Sequence, residues 1–283
     1  MTGALTACVL VKMARDPALP AGLDTSGQPR LAESFAVLEP AARAGLALAR
    51  QVVGPSGMVL AVSLGGPEVE DILRSTIAMG ADSVLRVHNA RWAHLSPTDA
   101  AQALVAALRA LPTGRPDLVL CGDRSIDDGA GLVGPMVARG LGLGWVSAVA
   151  SVEMEDTGKL RVHRRRERGE RLLLEVSLPA VLCLEPVLTP HGPLSTPALI
   201  AAAGAPIDVV QAKPSFALAP PVEKQRRNVL PVSVPENGLP ASQRIWSMFW
   251  GGERPREGEV RGLPATEVAR QIADLLEGRG LLR

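Results

Sequence analysis

The sequence contains no tyrosine, three phenylalanines and four tryptophans. Aromatic platforms, on which exposed bases stack and which give single-stranded nucleic-acid binding much of its strength, are therefore scarce. Charge of one sign is missing as well: 30 basic residues face 29 acidic ones, so no global field draws the chain to nucleic acid or to an anionic membrane. The three cysteines, Cys8, Cys121 and Cys183, lie far apart inside apolar runs with no CxxC spacing. They read as small core residues of a protein in a reducing, cytoplasmic compartment, and no metal site is expected. GxSxG, HExxH and GxxxxGK[ST] are absent, and His88, His94, His163 and His191 stand beside no nucleophile motif. A functional histidine needs a named partner, so these four read as surface or loop residues.

Membrane and export signals are also wanting. The opening MTGALTACVLVKMARDP has no basic stretch before its apolar run, and Lys12 closes that run, so it reads as a buried strand rather than a leader. The apolar stretch from Ala130 to Ala150 contains Pro135, Arg139 and five glycines, which argues against a membrane helix.

What is present is an apolar fraction of 47% and an alternation of strand-like and helix-like segments. Leu5 to Val11, Met58 to Leu64, Ser83 to Val87 and Asp117 to Cys121 are short apolar runs suited to strands buried on both faces. Between them, helices are expected over Leu31 to Val53 with Pro40 in a first turn, over Glu68 to Met79 with Gly80 as a cap, and from Ser96-Pro97 to about Leu111. This order predicts right-handed βαβ units and an α/β fold with a doubly wound, mostly parallel sheet. Leu160 to Glu167 and Arg171 to Leu178 flank Gly169 as a β-hairpin, and Ala180 to Leu184 returns to the main sheet. The hairpin carries RVHRRRERGER, whose interleaved glutamates mark a solvated charged face rather than a nucleic-acid patch.

The chain is organised around Asp117 to Ala138, DLVLCGDRSIDDGAGLVGPMVA. A strand, a glycine-broken acidic loop and a helix start follow one another there, the arrangement that offers unpaired N–H groups and a positive dipole end to an anion. Ligands of such sheets sit outside the carboxyl ends of the strands. Asp127 and Asp128 are candidates for an acid/base pair or metal ligation, but adjacent loop carboxylates more often cap a helix or hold a loop by hydrogen bonds.

Residues 1–211 are expected to form the nucleotide-binding α/β domain. Residues 212–283 are expected to form an extended C-terminal arm with a terminal helix over Ala265 to Leu276. A long irregular segment rich in Pro, Arg and Glu does not belong in a core. Trp246, Phe249 and Trp250 in WSMFW read as anchors for a partner.

Several stretches together resemble the β subunit of electron transfer flavoproteins: VLVK, AVSLGGP, ILRSTIAMGAD, PDLVLCGDRSIDDGAGLVGPMVA, the KLRVHRRRERGERLLLEVSLPAVL hairpin and the proline-rich segment before STPALI. The resemblance implies an adenine-nucleotide α-hydrolase-like fold and an electron carrier subunit that is not an enzyme by itself. It implies a heterodimer with an α subunit holding most of a redox-active FAD, structural AMP or in some branches a second FAD in the β subunit, a flavin dehydrogenase as electron donor, and a quinone reductase or other acceptor.

Carried over by position, the nucleotide contacts fall on Leu10, Leu64 and the loop Asp127, Asp128, Gly129, Ala130, Gly131, Leu132, Val133 and Gly134. The resemblance places dehydrogenase recognition on the loop with Pro193, Leu194, Thr196 and Pro197. Two departures are visible. Ala130 and Leu132 stand where the family pattern carries a phosphate-contacting Thr and Gln, and Leu194 precedes Thr196-Pro197 where the family often places Leu directly before Pro. The Asn-Pro common before the first long helix is expected to be replaced by LAESF. The alternative reading of the fold is an ATP-binding stress-type or hydrolase protein; a third is a structural subunit with an empty site.

Overall fold

The computed structural model describes residues 4–16, 36–88, 95–156, 158–186, 194–211, 240, 242 and 264–278. The chain divides into two compact units, Met1–Pro221 and Val222–Arg283. The first begins with Thr6–Val11 (β1), Met13–Arg15 (β2), Ala36–Leu38 (β3), Pro40–Val53 (α1), Met58–Leu64 (β4), Glu70–Ala78 (α2), Ser83–His88 (β5), Pro97–Arg109 (α3) and Leu118–Gly122 (β6). It continues with Val133–Leu141 (α4), Gly144–Asp156 (β7), Lys159–Arg165 (β8), Arg171–Ser177 (β9), Ala180–Leu184 (β10), Thr196–Ala203 (α5) and Asp208–Gln211 (β11). In the second unit the described helix is Ala265–Gly278 (α6), an amphipathic element.

The main sheet runs β11-β5-β4-β1-β6-β10-β7-β8-β9, parallel from β11 to β7 and antiparallel through β8 and β9. Buried strands such as TACVLV and AVLCL carry Val, Leu, Ala and Cys at successive positions because both faces are covered. On one face Leu46, Ala49 and Val52 of α1 and Leu73 of α2 pack against Val9, Val59, Ala61 and Leu120. On the other, Leu104 and Leu108 of α3 and Val137 and Leu141 of α4 pack against Cys8, Leu60, Val62 and Val119. Each fully buried Leu or Val contributes roughly 1.5–3 kcal/mol of transfer free energy. The doubly wound α/β expectation holds, with β8 and β9 as the expected hairpin.

From β1 the chain steps outward to β4 and β5, then crosses back through α3 to β6 on the other side of β1. The strand order reverses between β1 and β6, and an open sheet forms its ligand crevice at such a point.

The first long helix differs from expectation. Pro40 stands in its first turn as expected, but within the segment expected from Leu31 onward Ala36–Leu38 is a strand that pairs antiparallel with Met13–Arg15. Proline suits a first turn because its missing N–H needs no partner there, and it pushes the preceding residue out of the helical region. Glu39 accordingly has φ −47° and ψ 126°. The expected LAESF, residues 31–35, lies outside the described residues; Glu39 and Pro40 open the helix. The helix expected over Glu68 to Met79 opens with a 3₁₀ turn at Pro67–Val69 and is α-helical from Glu70 to Ala78. Ser96 caps α3 as expected, its Oγ accepting from the Asp99 N–H at 3.2 Å.

Four arginines of the hairpin's basic run, Arg161, Arg164, Arg165 and Arg166, are paired within the chain. Arg165 Nε bonds the buried Glu185 carboxylate at 2.5 Å, Arg164 Nε donates to Ser147 O at 3.2 Å, and Lys159 and Arg161 pair with Glu175 and Glu155.

Candidate functional site

The carboxyl ends of β4, β1 and β6 bring the expected nucleotide-contacting residues together. Leu10 is buried at the end of β1 and Leu64 is half-buried at the end of β4, both against the core layer under α3 and α4. From β6 the loop 123–132 runs over this edge into α4. Asp127, Asp128, Gly129 and Ala130 are exposed, Leu132 is 49% exposed, Gly131 and Val133 are half-buried, and Gly134 is buried.

The loop is held by its own acids. Asp128 Oδ1 accepts from Ser125 Oγ at 2.5 Å and from the Ala130 N–H at 3.0 Å, and Asp127 Oδ1 accepts from the Asp128 N–H at 2.6 Å. Lys12, the residue after β1, reaches across the switch point to Asp127 Oδ1 at 2.7 Å and Asp128 Oδ2 at 3.2 Å. Burial alone pushes both aspartates up, but the hydrogen bonds from Lys12, Ser125 and the loop amides outweigh it and hold them below the ordinary carboxylate range. For Lys12, burial acts to lower the ammonium, and the bonds and charges of Asp127 and Asp128 reverse this to a net rise. The two aspartates therefore act as loop staples, and among the described residues no group of three or more His, Cys, Asp or Glu is placed to hold a metal ion.

Helix α4 begins directly after this loop, at Val133. Its N-cap residue Leu132 supplies no side-chain cap, so the N–H groups of Val133 and Gly134 lie at the positive end of the helix dipole without a side-chain acceptor from the cap. Gly131 turns the chain at φ +64°, and a Cβ there would lie 3.2 Å from Asp123 O. Gly134 sets the helix onto the sheet: a Cβ would meet Cys183 Sγ at 2.4 Å and Cys121 Sγ at 2.7 Å. The two thiols, 3.7 Å apart, are buried; their mutual contact and burial push Cys121 upward, so it stays a neutral packing group.

Sequence reasoning missed two members of the site. Lys12 follows the first strand and is 115 residues from its partner Asp127, a relation no local pattern carries. Glu39 is 3% exposed; its N–H donates to Lys12 O at 3.1 Å and its Oε2 accepts from the Ile126 N–H at 3.3 Å. Burial first, then the charges of Asp127 and Asp128, raise its carboxyl above the ordinary value, against the pull of Ile126 N–H and Lys12.

Of the residues expected to recognise partners, Pro193, Trp246, Phe249 and Trp250 lie outside the described residues. Leu194 is half-buried against this chain's own core. Thr196 and Pro197 form the first turn of α5, where Ser195 Oγ accepts from the Ala198 N–H at 3.3 Å. That helix carries Leu199 and Ile200 exposed, Ile200 at 71%.

A family profile described as the electron transfer flavoprotein domain matches residues 31–215. The chain belongs to the electron transfer flavoprotein β subunit family. Among characterised relatives it is 33% identical over 131 residues to Protein FixA of Azotobacter vinelandii, 45% of this chain and 46% of that one. It is 30% identical over 156 residues to the probable electron transfer flavoprotein subunit beta of Saccharomyces cerevisiae, 55% and 58% of the two chains. With the acryloyl-CoA reductase electron transfer subunit gamma of Anaerotignum propionicum it shares 26% identity over 179 residues, 62% and 66%. The chain thus spans about half to two thirds of the length of these relatives. For this family member, the match covers the switch-point loop, α4 and the hairpin. Among the described residues no helix is long and apolar enough to cross a membrane.

Proposed function

We propose that this protein is the β subunit of a heterodimeric electron transfer flavoprotein, an electron carrier subunit without catalysis of its own. In this reading it binds AMP at the β1/β6 switch point and presents a surface to an α subunit that holds most of an FAD. The observation that carries the nucleotide part is the start of α4, whose uncapped first turn opens at the carboxyl edge of the sheet behind Gly131. A phosphate there would be held by the N–H groups of Val133 and Gly134 and by the helix dipole. Ala130 and Leu132 add no side-chain donor, so affinity rests on backbone. Two absent hydrogen bonds at roughly 0.5–1.5 kcal/mol each weaken the site without abolishing it.

FAD in the partner would supply reversible electron uptake from a flavin dehydrogenase and delivery to a quinone reductase or another acceptor. This chain's part is to hold its own nucleotide, carry the hairpin and α5, and cover the partner with its C-terminal segment, Trp246, Phe249 and Trp250 included. The relatives' names support the pairing with a dehydrogenase: one is an electron transfer subunit of acryloyl-CoA reductase. The loop chemistry disfavours an ATP hydrolase, because both loop aspartates are engaged by Lys12, Ser125 and backbone amides. Co-expression with an adjacent α-type subunit tests the reading. A stable 1:1 complex with flavin absorbance is expected; a soluble colourless monomer that refuses such a partner contradicts it.

A further inference from the structure

Strand β9 ends the main sheet, with β8 on one side and no strand on the other. Its pairing with β8 runs from Lys159↔Ser177 to Arg165↔Arg171 without a register shift, so no bulge turns this edge away. The bonds that bracket the hairpin set the phase: Arg166 N–H donates to Glu170 O at 2.8 Å and Leu178 N–H to Gly158 O at 2.9 Å. Bonded residues alternate in an antiparallel ladder. Leu172, Leu174 and Val176 therefore bond to β8, and Arg171, Leu173 and Glu175 turn their backbone N–H and C=O outward. Among the described residues no backbone group meets them.

Sheets usually blunt such an edge with a bulge, a proline or a very short strand. β9 is seven residues long without proline, and Leu172 and Leu173 are 38% and 54% exposed. Its charges select a partner rather than exclude all of them. Arg171 faces Arg165 across the ladder, and like charges so placed repel. Arg165 is taken up by Glu185, whereas no carboxylate pairs with Arg171 among the described residues. Glu175 holds Lys159 at 2.7 Å but is 56% exposed, which leaves its carboxylate open to a second cation.

The segment Arg171-Leu172-Leu173-Leu174-Glu175 is its own complement. An antiparallel strand of the same sequence, centred on Leu173, sets Arg171 opposite Glu175, Leu172 opposite Leu174 and Leu173 opposite Leu173. The outward backbone groups of Arg171, Leu173 and Glu175 then meet outward groups in every pair. Other registers of that phase set Arg171 opposite Leu173 or Ser177. A slip by one residue opposes outward-facing backbone to residues already bonded to β8.

We propose that two copies of this chain join through β9 in an isologous two-fold contact that makes their main sheets continuous. The same patch serves both copies, so the contact closes on itself. A second copy is favoured over a foreign strand because it carries the required order of acid, leucines and base. The inference adds to the reading above that a complex with an α-type subunit contains this chain twice.

The test uses the full chain, alone and in its purified complex with an α-type subunit, in sedimentation equilibrium over a range of concentrations. Two copies per assembly are expected as concentration rises, with the amides of Arg171, Leu173 and Glu175 gaining hydrogen-exchange protection. Arg171→Glu opposes carboxylate to carboxylate and Glu175→Arg opposes guanidinium to guanidinium. Each variant alone should show a dissociation constant about tenfold higher. Mixed one to one, the two variants regain an acid opposite a base in both pairs and should associate like the unaltered chain, which also shows that both are folded. A single copy at every concentration in either sample, variants that associate as tightly as the unaltered chain, or a mixture no tighter than its components overturns the assignment. Protection of the β9 amides in a complex holding one copy overturns it too, since the α-type subunit then takes the edge. The chain alone decides the matter even where no such complex forms, so failure of the flavoprotein reading is distinguished from failure of this one.

Discussion

Lys12 Nζ stands 2.7 Å from Asp127 Oδ1, joining the end of the first strand to the loop after β6 across the point where the strand order reverses. With side chains 42% and 36% exposed, this pair contributes under about 1 kcal/mol to global stability; its effect is local, holding the loop where α4 begins. Lys12→Met should lower the melting temperature little, loosen loop 123–132 in hydrogen exchange and weaken AMP binding. Raising salt toward about 1 M, where the screening length is ~3 Å, should erode the unaltered protein's advantage. Unchanged exchange in the loop amides would remove this role from Lys12.

The same pair sets a pH dependence. Asp127 and Asp128 are depressed in the fold, so their contribution is present above the unfolded carboxylate value near ~3.9 and is lost as pH falls through their folded values. Lys12 is raised, so its contribution is complete below about 10.4 and disappears as pH climbs through its folded value. Glu39 runs the other way. Its raised carboxyl binds a proton more tightly folded than unfolded, so stability declines as pH rises from about 4.3 through the folded value. Urea unfolding of Glu39→Gln should show the variant gaining on the unaltered chain across that interval, and parallel curves would refute the shift.

Gly134→Ala should destabilise by about 1–3 kcal/mol, the usual cost of overpacking, since its Cβ would lie 2.4 Å from Cys183 Sγ. The lost stability should be partly restored when Cys121 and Cys183 are shortened to alanine. Denaturant midpoints of the variants in a double-mutant cycle measure that coupling, and strict additivity would mean that the thiols do not set the height of α4 above the sheet.

Ala130→Thr with Leu132→Gln should strengthen AMP binding, by a few-fold to about tenfold for each hydrogen bond gained. Titration calorimetry reads this directly. No gain would place the phosphate away from loop 129–134.

Much of the fold was legible in the sequence because its signals are local. MVLAVSL, apolar but for Ser63, lies between Gly57 and Gly65 and forms β4 over the same seven residues; Ser96-Pro97 caps α3; Gly169 turns the hairpin. The short strands β2 and β3 escaped because three-residue elements carry no period and pair only with each other. β11 escaped because DVVQ is short and follows a run of alanines and prolines. The loop of the site was legible as strand, glycine and helix start. Its neighbours Lys12 and Glu39 were not, since their partners lie 115 and 87 residues away. Glu39 was hidden further because the segment from Leu31 was expected to be helical, with Pro40 alone marked as a first-turn residue.

The proposed role requires a nucleotide held without turnover in a flavin-bearing complex. The direct measurement is to purify the complex formed on co-expression with an α-type subunit, denature it, and quantify the released nucleotides by mass spectrometry against the flavin absorbance. One FAD and one AMP per complex, with no ATP hydrolysis, is the predicted result. A colourless chain that releases no AMP and turns over ATP would contradict it.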